Sequence, residues 1–202
     1  MDDLNSTCPF IQFTRELLTK NELSESVHHL QHHSGFNINI ILYLVWLAKA
    51  GYGRLSKRNI KLLQSQVALW DQRIIAELKY THALLSDHLD PVAVQIKNEL
   101  QEEIAKAHLI EQHMLHETQI KKQILRRSSQ QKLVDACVNI IRYCELKNDL
   151  LVEEDKIAFN KLFSAIFDKM DRDEIEKQIS LAFSRLNLHP DYPVQMEIML
   201  PG

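Results

Sequence analysis

The stretch "ESVHHLQHH", Glu25 to His33, holds the densest set of groups able to do chemistry. On a helix, His28/His32 and His29/His33 stand four apart, a spacing that lets two imidazoles reach one metal ion. Glu25 precedes His28 by three, the carboxylate–histidine spacing of di-metal helical bundles. Such a centre needs a second Glu-x-x-His pair, and the chain has no other, so a di-iron assignment fails on ligand count. The zinc hydrolase pattern His-Glu-x-x-His is also absent. A second group, His113, His116 and Glu117, shares part of one helical face, with Glu111 and His108 nearby. Alternating charge along that helix reads more simply as a solvated surface. No cofactor is implied, and His28, His32, His113 and Glu117 are weak metal candidates only.

Other chemistries are excluded by pattern. "DKMDRDE", Asp168 to Glu174, lacks the spacing and the glycine of a calcium loop. There is no phosphate-binding glycine loop, no nucleophile elbow and no aspartate-rich magnesium helix. Cys137 and Cys144 lie among isoleucines without a cationic neighbour to activate a thiol. Two apolar segments carry polar residues that could serve a binding pocket: Asn39 with Tyr43 one turn on, and Trp70 with Arg73. Asn39 either caps and hydrogen-bonds between helices or lines a pocket, because burial without a partner costs a few kcal/mol (about 1–3). Trp70 reads as core, and Arg73 as an ion-pairing or outward-reaching side chain. Asn39, Tyr43, Trp70 and Arg73 are therefore the candidate binding residues.

The elements that must position these groups are helices throughout. Thr7 caps a first helix with Pro9 in its first turn, and Asn21 caps a second from Glu22 to about His33. Gly35 stops that helix, Asn37 caps the next, and Gly51 ends it after Ala50. Ser56 opens a long helix to about Ser86, with a stripe of Ile60, Leu63, Val67, Trp70, Ile74 and Leu78. Asp90-Pro91 opens another to about Arg127, its inward face Ile96, Leu100, Ile104, Ala107, Ile110 and Met114 and its outer faces charged, Glu111 among them. Ser128-Ser129 breaks the chain; helices follow over about 131–147, 153–170 and 172–186, the last opening on Asp171 and Glu174 as a capping box. The expected fold is all-α, a compact bundle of about seven or eight helices with two long central ones. Residues 1–148 form the main domain. Residues 149–202 form a helical extension packed on it, ending in an extended tail over 187–202.

Composition narrows function further. At 202 residues, 45% hydrophobic and 25% charged, the chain suits one soluble domain, and 4 Gly with 5 Pro favour long helices over sheets. A net charge of −3 gives no general case for nucleic acid. The local cluster Lys121, Lys122, Arg126, Arg127 and Lys132 reads as solvation of a helix end. The uninterrupted apolar run Ile40 to Ala48 is far short of the ~20 residues a membrane span requires. "MDDLNSTCPF" shows no secretory pattern and the three cysteines form no close pair, so the cytoplasm is the expected location.

"CPFIQFTRELL", "LQHHSGFNINIILYLVWLA" and "LWDQRII" together resemble an uncharacterised family of proteobacterial all-helical proteins, a domain of unknown function, over roughly residues 8–90. The middle piece carries most of the likeness: Leu30-Gln31, Gly35, an Asx at 37, Asn39, then the apolar run. Asn37 stands where the family has an aspartate, Ser34 where it has a histidine, and Asp71 where it has a basic residue. The resemblance implies an all-helical bacterial cytoplasmic protein and no mechanism. Function is thus open. The absence of a catalytic constellation leans toward a non-enzymatic protein-interaction or adaptor protein, with a protein partner or self-association. The alternative is a small-molecule-binding or metal-dependent helical enzyme.

Overall fold

The computed structural model describes residues 8–19, 23–121, 123–147 and 151–186. The expected caps at Thr7 and Asn21, the residue Lys122 and the tail 187–202 lie outside them. The described residues form eight helices and no strand. They are α1 (Pro9–Leu18), α2 (Ser24–His28 continued by a π-helical turn, His29–His33), α3 (Ile38–Lys49), and α4 (Lys57–Trp70, a π-helical turn Asp71–Ile75, then Ala76–Leu84). The remaining four are α5 (Pro91–Glu117), α6 (Ser129–Lys147), α7 (Glu153–Ile166) and α8 (Arg172–Leu186).

Local chemistry sets most of these boundaries. Asn37 Oδ1 accepts from Ile40 N at 3.1 Å, and Asp90 Oδ1 accepts from Val92 N at 2.9 Å, each satisfying a donor the helix start leaves open. Ser128 and Gln131 form a reciprocal box, Gln131 N donating to Ser128 Oγ and Ser128 N to Gln131 Oε1. Gly51 follows α3 at φ +95°, and a Cβ there would stand 3.2 Å from the Leu125 carbonyl oxygen, so only glycine fits.

α3 is the hub. Every residue from Ile38 to Ala48 is buried except Trp46, which is partly so, and the helix packs chiefly on α6, then on α5 and α1. Burying a Leu or Ile side chain contributes roughly 1.5–3 kcal/mol, so this run is the main apolar anchor of the chain. Among the described residues no helix is long and apolar enough to cross a membrane. A second layer, α7 and α8, packs on α2 and α6 through Phe159, which sits between the rings of Phe36 and Phe183.

Two of the long elements differ from the expected pattern. The π turn in α4 inserts an extra residue, so the inward face passes from Val67 to Ile75, while Ile74 is 37% exposed. α5 ends at Glu117, ten residues before the expected Arg127. Thr118 Oγ1 returns to the Met114 carbonyl, and Leu125 N donates to Gly51 O at 2.8 Å, so this connection spends its backbone groups on the α3–α4 loop. The basic residues described there lie in a loop rather than at a helix end, and Arg127 pairs with Asp135.

The hairpin formed by the second half of α4 and the first half of α5 packs mainly on itself. Ala76–Leu84 contains no buried residue, and α5 contains none before Ala107. At its tip Leu89 is 90% exposed. Leu89→Ser is therefore expected to change stability by less than ~0.5 kcal/mol, measured as the urea midpoint; a larger loss would mean the tip is covered.

Candidate functional site

A pocket of about 430 Å³ opens where α2, α4, α5 and α6 meet. Both π turns contribute to its wall: Gln31 and His32 come from the first, Asp71, Gln72 and Ile75 from the second. Asn37, Gln64, Lys79, His108, Tyr143 and Lys147 add further polar lining. The α4 bulge is anchored at its start: Trp70 Nε1 donates to the Ala107 carbonyl at 3.0 Å. Asp71, the next residue, lines the pocket, and the Asn37 amide beside it favours its charged form.

Behind this wall lies a buried polar network. Glu111 is 0% exposed; its Oε1 accepts from Asn37 Nδ2 at 2.6 Å and its Oε2 from Asn39 Nδ2 at 2.5 Å. A carboxylate needs donors, so the Asn39 amide must turn its nitrogen toward Glu111 and its oxygen away. That oxygen accepts from Gln112 Nε2 at 2.8 Å, which leaves Gln112 Oε1 toward the Thr14 hydroxyl at 3.0 Å. The same Asn39 nitrogen stands 3.0 Å from His108 Nδ1. His108 Nδ1 is then the acceptor, and the ring proton sits on Nε2.

The charged groups of the pocket are partly desolvated. Burial, then the nearby Glu111 charge, raises the Asp71 carboxyl pKa, against the opposing pull of Asn37, Lys79 and His108. Burial lowers the Lys79 ammonium, against Asp71 and Glu111. His32 is lowered by burial first and then by His28, Lys79 and His33. Tyr143, 2% exposed, is pushed well up by burial. Perturbed groups converging on one cleft mark a candidate binding or catalytic site.

The candidates read from sequence are not gathered here. Asn39 stands directly behind the pocket, joined to its wall through His108 and Glu111. Tyr43 is buried against the rings of Phe10 and Trp46. Trp70 is half-buried and anchors the bulge, and Arg73 is exposed with no ion pair among the described residues. His28 and His32 are exposed with ring centroids 4.5 Å apart, and His113 and Glu117 lie on α5. Among the described residues no cluster of three or more His, Cys, Asp or Glu is placed to hold a metal. Cys137 is packed in the core, where burial pushes its thiol up to about 12. His29 Nε2 and Ser34 Oγ both approach Asp155 Oδ1, the histidine at 3.0 Å. Serine and aspartate meet the same ring nitrogen, so this is a structural tie and not a nucleophile–base relay.

Sequence reasoning missed Asp71, Lys79, His108, Glu111 and Tyr143 as a set. Glu111 is the sharpest correction: it was expected on the charged exterior of α5 and is fully buried. A legible signal did exist, in Glu111 and Gln112, each placed three residues before an apolar residue, Met114 and Leu115, on a helix that must pack on α3.

Fold and pocket together define an all-helical protein with a polar cleft walled by two π turns. The family profile described as "Protein of unknown function (DUF2390)" matches residues 10–119, more than half of the chain, and the chain belongs to that family. The matched span includes α1 to α5, with both π turns, but not Tyr143 or Lys147 of α6. No curated protein and no solved structure matches it.

Proposed function

We propose that this protein binds a small polar molecule in the cleft between α2, α4, α5 and α6. The observation that carries this reading is that both π turns, on separate helices, face the same 430 Å³ space. A π turn is rare within an α-helix, and such turns are frequent at functional sites. Asp71 and Lys79 supply groups of opposite charge, both partly desolvated, which suits a ligand with donor and acceptor ends.

The test is a thermal-shift screen of the full chain against a library of small polar metabolites, repeated with Asp71→Asn and Lys79→Met. Compounds that stabilise the parent chain are expected to lose at least half of their shift in one or both variants. A library without such a compound removes the reading. Asp71→Asn itself is expected to raise ligand-free stability near neutral pH, by about 0.5–1 kcal/mol, the usual scale of such gains. Asp71 has a raised carboxyl pKa in the folded state, so its favourable contribution is present below the unfolded value and lost as pH rises through the folded one. The asparagine keeps the shape and an acceptor without the charge, and no gain over the parent at pH 7 would contradict the desolvation of Asp71.

A second reading, protein interaction, is supported by the self-packed hairpin, on which Tyr80, Leu84, Leu89 and Val92 are all exposed. It concerns a different surface and is compatible with the first.

A further inference from the structure

The wall of the cleft offers hydrogen-bond donors that the protein itself leaves unused. Tyr143 is buried, and its hydroxyl oxygen accepts from Asn37 N at 3.3 Å, so its proton is not used in that bond. Among the described residues that proton has no acceptor. Lys79 has no hydrogen bond and no ion pair within 4.0 Å among the described residues, although Asp71 and Glu111 both act on it through space. His108 gives Nδ1 to Asn39, which leaves Nε2–H, on the far side of the ring, for the cleft it lines. Each of these residues lines the same 430 Å³ space.

An unused donor beside a desolvated wall costs free energy until an acceptor arrives. Glu111 does not supply that acceptor: its carboxylate is bonded by Asn37 and Asn39, and among the described residues it takes no hydrogen bond from Tyr143 or Lys79. Resting on the pocket reading above, we infer that the ligand carries an oxyanion, a carboxylate or a phosphate, held by Tyr143 Oη–H, His108 Nε2–H and the Lys79 ammonium. Asn39 is a positioning residue in this arrangement: Glu111 holds its amide nitrogen, Gln112 its oxygen, and the nitrogen so placed fixes which His108 nitrogen carries the proton. Asp71, the acceptor in the same cleft, takes a hydroxyl or ammonium elsewhere on the ligand.

The experiment is an NMR titration of the full chain with inorganic phosphate and, separately, with acetate at matched ionic strength, following the His108 ring nitrogens. The ring is expected to show the Nε2–H tautomer, and at least one anion is expected to bind saturably and shift that resonance. The anion that binds more tightly identifies the ligand as a phosphoester or a carboxylic acid. Tyr143→Phe and Lys79→Met are each expected to weaken binding by about tenfold, the scale of one hydrogen bond to a charged group. Lys79→Met lies on a half-exposed helix face and keeps the fold even if Tyr143→Phe disturbs the α3 start. Phosphate and acetate both leaving His108 unmoved, equal affinity in both variants, or an Nδ1–H tautomer would each overturn the assignment. If the library screen meanwhile yields neutral or cationic compounds sensitive to Asp71→Asn, the pocket reading stands and the oxyanion alone is discarded.

Discussion

Glu111→Ala is expected to destabilise the chain by about 3–5 kcal/mol, through two orphaned donors and a cavity. The Asn37 and Asn39 side chains both point amide nitrogens at this carboxylate, at 2.6 and 2.5 Å. Neither amide can turn over to compensate. Asn37 Oδ1 is committed to Ile40 N at the start of α3, and Asn39 Oδ1 to Gln112 Nε2. The more discriminating change is Glu111→Gln, which keeps the volume and one acceptor. Its new NH2 must face one asparagine NH2 whichever way it is placed, so a cost of about 1–3 kcal/mol is expected despite near-identical shape. Urea unfolding followed by circular dichroism measures both. A glutamine variant as stable as the parent would show that an asparagine flips and that the network has no fixed direction. The assignment of the His108 proton would go with it.

That network shows why the fold was legible in the sequence and the site was not. Features decided within one or two turns of chain can be read directly: the Asn37 cap, the Gly51 stop, the Asp90-Pro91 opening and the length of the apolar run in α3. Features decided by a distant partner cannot. Periodicity puts Ile74 inward, but the π turn that follows the Trp70 bond to Ala107 moves the face on to Ile75. Glu111 sits in a helix rich in charges, and a buried carboxylate there looks like every other glutamate until the two asparagines of the α3 start are placed against it. The end of α5 is hidden from the sequence for the same reason. Residues 118–128 contain neither proline nor glycine, and their departure from helix is explained by the Leu125 bond to Gly51. The candidate Asn39 came closest, because a polar residue in a buried run must find partners; its partners, rather than the asparagine itself, form the wall of the cleft.

Phe159→Ala is expected to cost about 3–5 kcal/mol and to lower the stability of the whole chain, not of its C-terminal helices alone. Phe159 is 0% exposed, its ring centroid 5.9 Å from that of Phe36 and 5.4 Å from that of Phe183. It therefore joins the connection before α3 to α8, across the end of the family match at residue 119. One turn earlier on α7, buried Asp155 accepts from Val152 N and bonds His29, at the start of the π turn that helps wall the cleft. Both tryptophans, Trp46 and Trp70, lie inside the matched region, so their fluorescence reports on it while circular dichroism reports on all eight helices. If α7 and α8 share one cooperative core with α2 and α3, both signals shift to the same lower urea midpoint in Phe159→Ala. A tryptophan transition left at the parent midpoint, with part of the helical signal lost earlier, would make the C-terminal helices a separable addition. In the first case the cleft depends on helices beyond the family match: α7 supports the first π turn through His29, and α6 contributes Tyr143 to the lining.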